Sequence, residues 1–161
     1  MKIASYDIVF QEIPDEVTLA LNISQCPCHC VGCHSPHLAD DIGEELTENL
    51  LDGLVQTYGK GITCVCMMGG DAAPCEVDRW LAYIHTLGLK TAWYSGREQK
   101  SVQVKDEHLD YLKLGPYIEE KGALREPTTN QRLYRRKQVT AANASGQDEW
   151  DDLTPHFWKH A

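Results

Sequence analysis

The chain has 161 residues, 42% of them hydrophobic and 24% charged, with a formal net charge of −9 and a pI near 5.1. That length suits one domain around a single core, and the acidic balance argues against nucleic acid or an anionic membrane surface as the main partner. No apolar run reaches the length that spans a bilayer and the N-terminal stretch lacks a signal-peptide pattern, so a cytoplasmic address is expected.

Residues 3–10 read as a short strand, and Pro14 and Asp15 as a turn. Residues 17–23, β-branched and apolar, are a second strand. Directly after it four cysteines crowd into eight residues: Cys26, Cys28, Cys30 and Cys33. Residues 47–58 place Leu50, Leu51, Leu54, Val55 and Tyr58 on one helical face, behind Leu46, with Thr47 as the cap and Gly59 as the stop. Residues 62–68 form a continuous apolar run, the pattern of a parallel strand buried on both faces, and end in Gly69-Gly70-Asp71. A second helix is expected over about 75–87, with Val77, Trp80, Leu81, Ile84 and Leu87 inward and Gly88 as the stop. Residues 89–94 give another strand, followed by Ser95-Gly96-Arg97, and residues 111–114 a last one before Gly115-Pro116-Tyr117.

Strands alternating with helices imply an α/β fold with a mainly parallel sheet. A complete eightfold barrel needs about 250 residues, so a small partial, open β/α barrel is expected. Residues 1–138 form this domain, and the acidic stretch 139–161 is expected to be a flexible tail, although Trp150, Phe157 and Trp158 sit oddly in a solvated one.

Seven cysteines are an odd number, and four of them lie too close together for an ordinary disulfide framework. In a reducing compartment such a cluster reads as metal binding. The spacing Cys26-x3-Cys30-x2-Cys33 offers three thiolates, enough to hold three irons of a [4Fe–4S] cluster and leave the fourth without a protein ligand. A cluster with one open iron can bind and reduce something, which favours an enzyme over an electron carrier. The competing reading is a structural zinc site built from four of Cys26, Cys28, Cys30, Cys33 and His34. Zinc sites normally pair two ligand groups across a longer spacer, and here the remaining candidates, Cys64 and Cys66, lie inside an expected strand as core residues. Cys28 is set aside as a non-ligand. Gly69 and Gly70 would let the backbone approach a ligand closely, and the Asp71 carboxylate could accept a bond from an ammonium group, although Gly-Gly-Asp is also a common turn.

The cysteine loop after a core strand resembles the radical S-adenosylmethionine (SAM) superfamily. Its Cys-x-Gly-Cys ending is similar to one subfamily, the activating proteins of anaerobic ribonucleotide reductase; Gly32 stands where many members carry an aromatic residue. Gly69-Gly70-Asp71 looks like the family's Gly-Gly-Glu segment, with Asp71 in place of Glu. Tyr6-Asp7-Ile8-Val9, Gly115–Glu119 and Thr128–Arg132 also resemble that subfamily, so the likeness covers roughly residues 3–135.

The resemblance implies that SAM chelates the open iron through its amino and carboxylate groups and that the reduced cluster cleaves it to methionine and a 5′-deoxyadenosyl radical. It implies Cys26, Cys30 and Cys33 as ligands of a single [4Fe–4S] cluster, and Gly69, Gly70 and Asp71 around the SAM amino group. Ser95 would touch the SAM carboxylate or ribose if it is more than part of a surface turn, and His34 and His37 would tune the cluster by hydrogen bonds. The implied partners are the catalytic subunit of an anaerobic ribonucleoside-triphosphate reductase, which receives a glycyl radical, and a flavodoxin-like electron donor. An open barrel mouth would be filled by a loop of the partner, excluding water. The alternatives are a radical SAM enzyme acting on another glycyl-radical enzyme or on a small molecule, and a non-catalytic metal-binding adaptor.

Overall fold

The computed structural model describes residues 1–137 and 150–158. Eight strands form one sheet among these residues: β1 (Lys2–Val9), β2 (Thr18–Ile23), β3 (Glu44–Glu45), β4 (Cys64–Met68), β5 (Lys90–Tyr94), β6 (Tyr111–Leu114), β7 (Arg132–Arg136) and β8 (Trp150–Asp152). Their spatial order is β3-β1-β2-β4-β5-β6-β7-β8. The two α-helices among the described residues are α1 (Glu48–Tyr58) and α2 (Pro74–Thr86).

This corrects the expected partial β/α barrel of mainly parallel strands. The sheet is mixed, with four of its seven pairings antiparallel, and its edge strands β3 and β8 do not pair with each other. A parallel pairing needs a crossover of a dozen or more residues, usually a helix. Residues 10–17 between β1 and β2 are too few, and Asp15, at φ 65°, turns the chain straight back into an antiparallel pair. After β6 the sequence supplies no helical pattern, so β7 and β8 also return antiparallel. Residues 111–114 are therefore not the last strand, and residues 150–158 belong to the sheet and to a 3-10 turn (Thr154–Trp158). Residues 139–149 and 159–161 of the expected tail lie outside the described residues.

Both helices form where the periodicity places them. The Thr47 hydroxyl accepts the Leu50 amide at 3.2 Å and Gly59 ends α1 at φ 52°. Pro74 opens α2, where its missing N–H costs nothing. Leu51 and Leu54 of α1 and Val77, Leu81 and Ile84 of α2 bury against Leu19, Leu21, Val65, Met67 and Trp93 on one face of the sheet. Among the described residues no α-helix covers the other face. Cys64, Cys66, Ala92 and Tyr111 are covered there by Ile13, Leu124 and Leu133, with Leu153 and Phe157 packed alongside.

The parallel centre sets up the functional end. Asn22, Met68, Tyr94 and Lys113 stand in register across β2, β4, β5 and β6. The four connections leaving these residues therefore emerge side by side at the carboxyl edge.

Candidate functional site

The first connection carries the cysteines. Its stem is fixed by the Gln25 amide donating to the Asp40 carbonyl at 3.1 Å and the Cys26 amide to the Leu38 carbonyl at 2.8 Å. The loop then winds tightly, with left-handed backbone at Gln25 (φ 60°), His29 (φ 45°) and Gly32 (φ 72°). Such conformations cost about 1–3 kcal/mol for a residue with a side chain and cluster where function demands them. The Cys33 amide closes a turn onto the Cys30 carbonyl at 3.2 Å, and the Ser35 amide donates to the Cys33 sulfur at 3.4 Å.

The winding divides the four thiols. Cys26, Cys30 and Cys33 line one cavity of about 220 Å³ together with His29 and Ser35. Cys28 faces the neighbouring cavity of about 630 Å³, lined also by Asp71, Pro74, Trp93, Gly96 and Arg97. Burial and the Asp71 carboxylate, whose oxygen is 3.9 Å from the sulfur, push the Cys28 thiol up to about 12. Among the described residues no three Cys, His, Asp or Glu side chains stand close enough to hold a metal ion without rearrangement.

Gly69, Gly70 and Asp71 leave the end of β4. Gly69 (φ 99°) and Gly70 (φ 86°) are both left-handed, and a Cβ on Gly70 would lie 2.6 Å from Val77 Cγ2. Their backbone groups are engaged within the fold: the Gly69 amide donates to the Tyr94 carbonyl at 2.9 Å, its carbonyl accepts from Trp93 Nε1 at 2.8 Å, and the Gly70 carbonyl accepts the Ala73 amide. Asp71 is brought against Ser95. The Ser95 hydroxyl donates to Asp71 Oδ1 at 2.5 Å and the Gly96 amide to Oδ2 at 3.0 Å. A carboxylate accepts about four bonds, so Asp71 keeps capacity toward the larger cavity. Ser95, only 1% exposed, also accepts the Arg97 amide at 3.0 Å. It is a buried strut for Asp71, not part of a surface turn.

The last connection folds over the cysteine loop. Glu119 and Tyr117 lie 3.3 Å from where a Cβ on Gly32 would stand, and the Tyr117 and His34 rings are 5.2 Å apart. An aromatic ring thus reaches the Gly32 position from a distant segment. His37 sits exposed in a 3-10 turn, where its carbonyl accepts the Asp40 amide. Cys64 and Cys66 are fully buried and burial pushes both thiols up, as befits inert core residues, while Cys75 is exposed on α2.

Two contributors escape the sequence reading. Cys28 was set aside without a location, and only the winding of the loop shows which cavity it faces. Lys113, 8% exposed, is the last but one residue of β6, and its Nζ donates to the Gly115 carbonyl at 2.7 Å. The signal for it was a lysine inside the apolar run Tyr111-Leu112-Lys113-Leu114.

Compared with family models, with curated proteins and with solved structures, the chain returns no match.

The thiol set suits an iron–sulfur cluster in donor chemistry, although the three side chains would have to turn inward to hold one. Three cysteines share one cavity, one sulfur already accepts a backbone N–H, and Cys28 lines the neighbouring cavity while its side chain meets that of Cys26. A four-ligand zinc site would need Cys28, which meets Cys26, to turn toward Cys30 and Cys33 as well, or His34 to leave Tyr117. Among the described residues no helix is long and apolar enough to cross a membrane.

Proposed function

We propose that the chain is a radical SAM activase of the anaerobic ribonucleotide reductase type. The observation that carries this reading is the division of the thiols: the Cys-x3-Cys-x2-Cys set lines one cavity, and the larger cavity beside it has a carboxylate at its wall. A [4Fe–4S] cluster, if held there by Cys26, Cys30 and Cys33, would supply the electron for reductive cleavage of SAM, the chemistry that would take a hydrogen atom from a glycine Cα of the catalytic subunit of an anaerobic ribonucleoside-triphosphate reductase.

The chain's own residues prepare that chemistry. The Ser35 amide stabilises the Cys33 thiolate. Asp71 presents negative charge for the SAM amino group, and Ser95 and Gly96 fix its rotamer. Gly69 and Gly70, both left-handed and packed too tightly against Ile23 and Val77 for a side chain, carry the chain from β4 to Asp71. Arg97 and Glu98 line the outer part of the same cavity and would meet the polar groups of the ribose and carboxylate. The electron comes from a flavodoxin-like donor, and the partner's glycine loop completes the enclosure and keeps water out.

Electron paramagnetic resonance on anaerobically reconstituted, dithionite-reduced protein, with and without SAM, tests the reading. A four-iron signal that changes on adding SAM is expected. A cluster signal indifferent to SAM would favour the adaptor or electron carrier, and stoichiometric zinc without iron would refute the proposal.

A further inference from the structure

A third cavity, of about 380 Å³, lies at the amino ends of the parallel strands, away from the cysteine edge. The chain carries a net charge of −9, yet this wall holds Lys90, Arg135, Arg136 and Lys137 against two carboxylates, Asp110 and Asp151. The sheet register gathers them. Ala92, Tyr111 and Arg135 are cross-strand partners on β5, β6 and β7, and Lys90 stands two residues before Ala92. Lys90, Tyr111 and Arg135 therefore share one face of the sheet, the face without an α-helix. Arg136 and Lys137 follow at the end of β7. Because β6 lies between β5 and β7, Lys90 and the β7 cations start from strands about 10 Å apart, two strand spacings.

The carboxylates nearby are already committed. Lys90 Nζ donates to the buried Glu16 at 2.5 Å. The Asp110 carboxylate meets the Thr91 amide and His85 Nε2, each at 2.8 Å. Asp151 is divided between two cations, Arg135 at 3.5 Å and Lys137 at 3.4 Å, both longer than the about 2.7–2.9 Å of a close charge-assisted bond. Exposed pairs of that kind contribute little, so a better acceptor can displace Asp151 from both cations.

We propose that this cavity binds an oligophosphate, either the phosphate chain of a nucleotide or an inorganic polyphosphate. The guanidinium fork matches phosphate oxygens two at a time, and lysine adds a point charge. One phosphate is too short to reach cations based about 10 Å apart, whereas two or three linked phosphates can. The cavity volume is in the range of small-molecule sites. The site lies at the other end of the sheet from the cysteine loop and does not rest on the cluster reading.

The test is isothermal titration calorimetry of the metal-free full chain at low salt with inorganic phosphate, inorganic triphosphate and a nucleoside triphosphate. Triphosphate is expected to bind at least about tenfold more tightly than phosphate, with affinity falling as salt rises. Arg135→Gln and Lys137→Gln should each weaken it about tenfold. Asp151→Asn removes the competing carboxylate and should tighten binding, a gain that damage to the fold would not produce. A nucleoside triphosphate that binds more tightly than triphosphate identifies a nucleotide as the ligand; equal affinities identify the phosphate chain alone. No binding of either to wild type overturns the proposal. So does an affinity for triphosphate that is unchanged in Lys137→Gln and Asp151→Asn, both checked for folding by thermal unfolding.

Discussion

The Ser95 hydroxyl donates to the Asp71 carboxylate at 2.5 Å, joining the ends of two adjacent parallel strands by a side-chain bond. Neither residue is free to move alone. A ligand held by Asp71 is thereby held by the sheet.

That pairing is measurable in the metal-free protein. Asp71→Ala and Ser95→Ala each remove one partner of a buried bond to a charged group, and each is expected to cost about 2 kcal/mol. A double-mutant cycle by urea denaturation should give a coupling of about 1 kcal/mol or more. Additivity within error would show that the bond carries no stability. In the iron-loaded protein, Asp71→Ala should weaken SAM binding with iron content retained.

Two glycines separate crowding from conformational freedom. Gly70→Ala places a methyl 2.6 Å from Val77 Cγ2 at φ 86°, and should destabilise by about 3 kcal/mol. Gly53→Ala, inside α1 with nothing within 4 Å of the new methyl, should stabilise by about 1 kcal/mol. Thermal unfolding of both variants reads the contrast, and similar shifts for the two would contradict it.

At the opposite edge of the sheet, the buried Glu16 carboxylate accepts from Lys90 Nζ at 2.5 Å, and from the Thr63 and Tyr111 hydroxyls at 2.6 Å each. Burial alone would raise its pKa, but the hydrogen bonds from Lys90, Thr63 and Tyr111 outweigh it and hold the carboxyl below its ordinary value. A depressed carboxyl stabilises the fold above its unfolded pKa and loses that contribution as the pH falls through its folded one. Glu16→Gln should therefore be less stable than wild type at pH 7 by about 2 kcal/mol, with the gap closing below pH 4. A gap that persists at low pH would mean that the charge is not what matters.

Lys113 carries the reverse sign. Its ammonium is depressed to about 8 in the fold, so its burial penalises stability most below pH 8 and progressively less toward the ordinary lysine value of 10.5. Metal-free Lys113→Met should be more stable than wild type at pH 7, and the difference should shrink between pH 8 and 10. Taking the difference between the two proteins removes the common loss, near pH 9–10, from Cys64, Cys66, Tyr94 and Tyr111, all of which burial raises. A constant difference across that range would place the lysine outside the low-dielectric interior.

What the sequence disclosed depended on how strongly each segment was patterned. Helices α1 and α2 and strands β2, β4, β5 and β6 were legible because burial imposes period and run length, and Thr47, Gly59 and Gly88 punctuate them. The mixed sheet was not. Arg132–Arg136 buries only Leu133, and β8 is Trp-Asp-Asp, so neither has an apolar signature. They are joined instead by opposite charges: Arg135 and Lys137 reach Asp151 at 3.5 and 3.4 Å, and the Leu133 amide donates to the Thr154 hydroxyl at 2.9 Å. At the site, cysteine spacing was legible as chemistry, whereas the Asp71–Ser95 bond and the burial of Lys113 depend on which strands become neighbours.

The cover that Tyr117 and Glu119 place over the cysteine loop has a consequence in time. They are encoded more than eighty residues after Cys33. At about 5–20 residues per second of synthesis, each new chain carries its thiols uncovered for on the order of ten seconds before the shielding segment is made. Air during expression would meet them in that interval, so oxygen exclusion matters from translation onward and not only at purification.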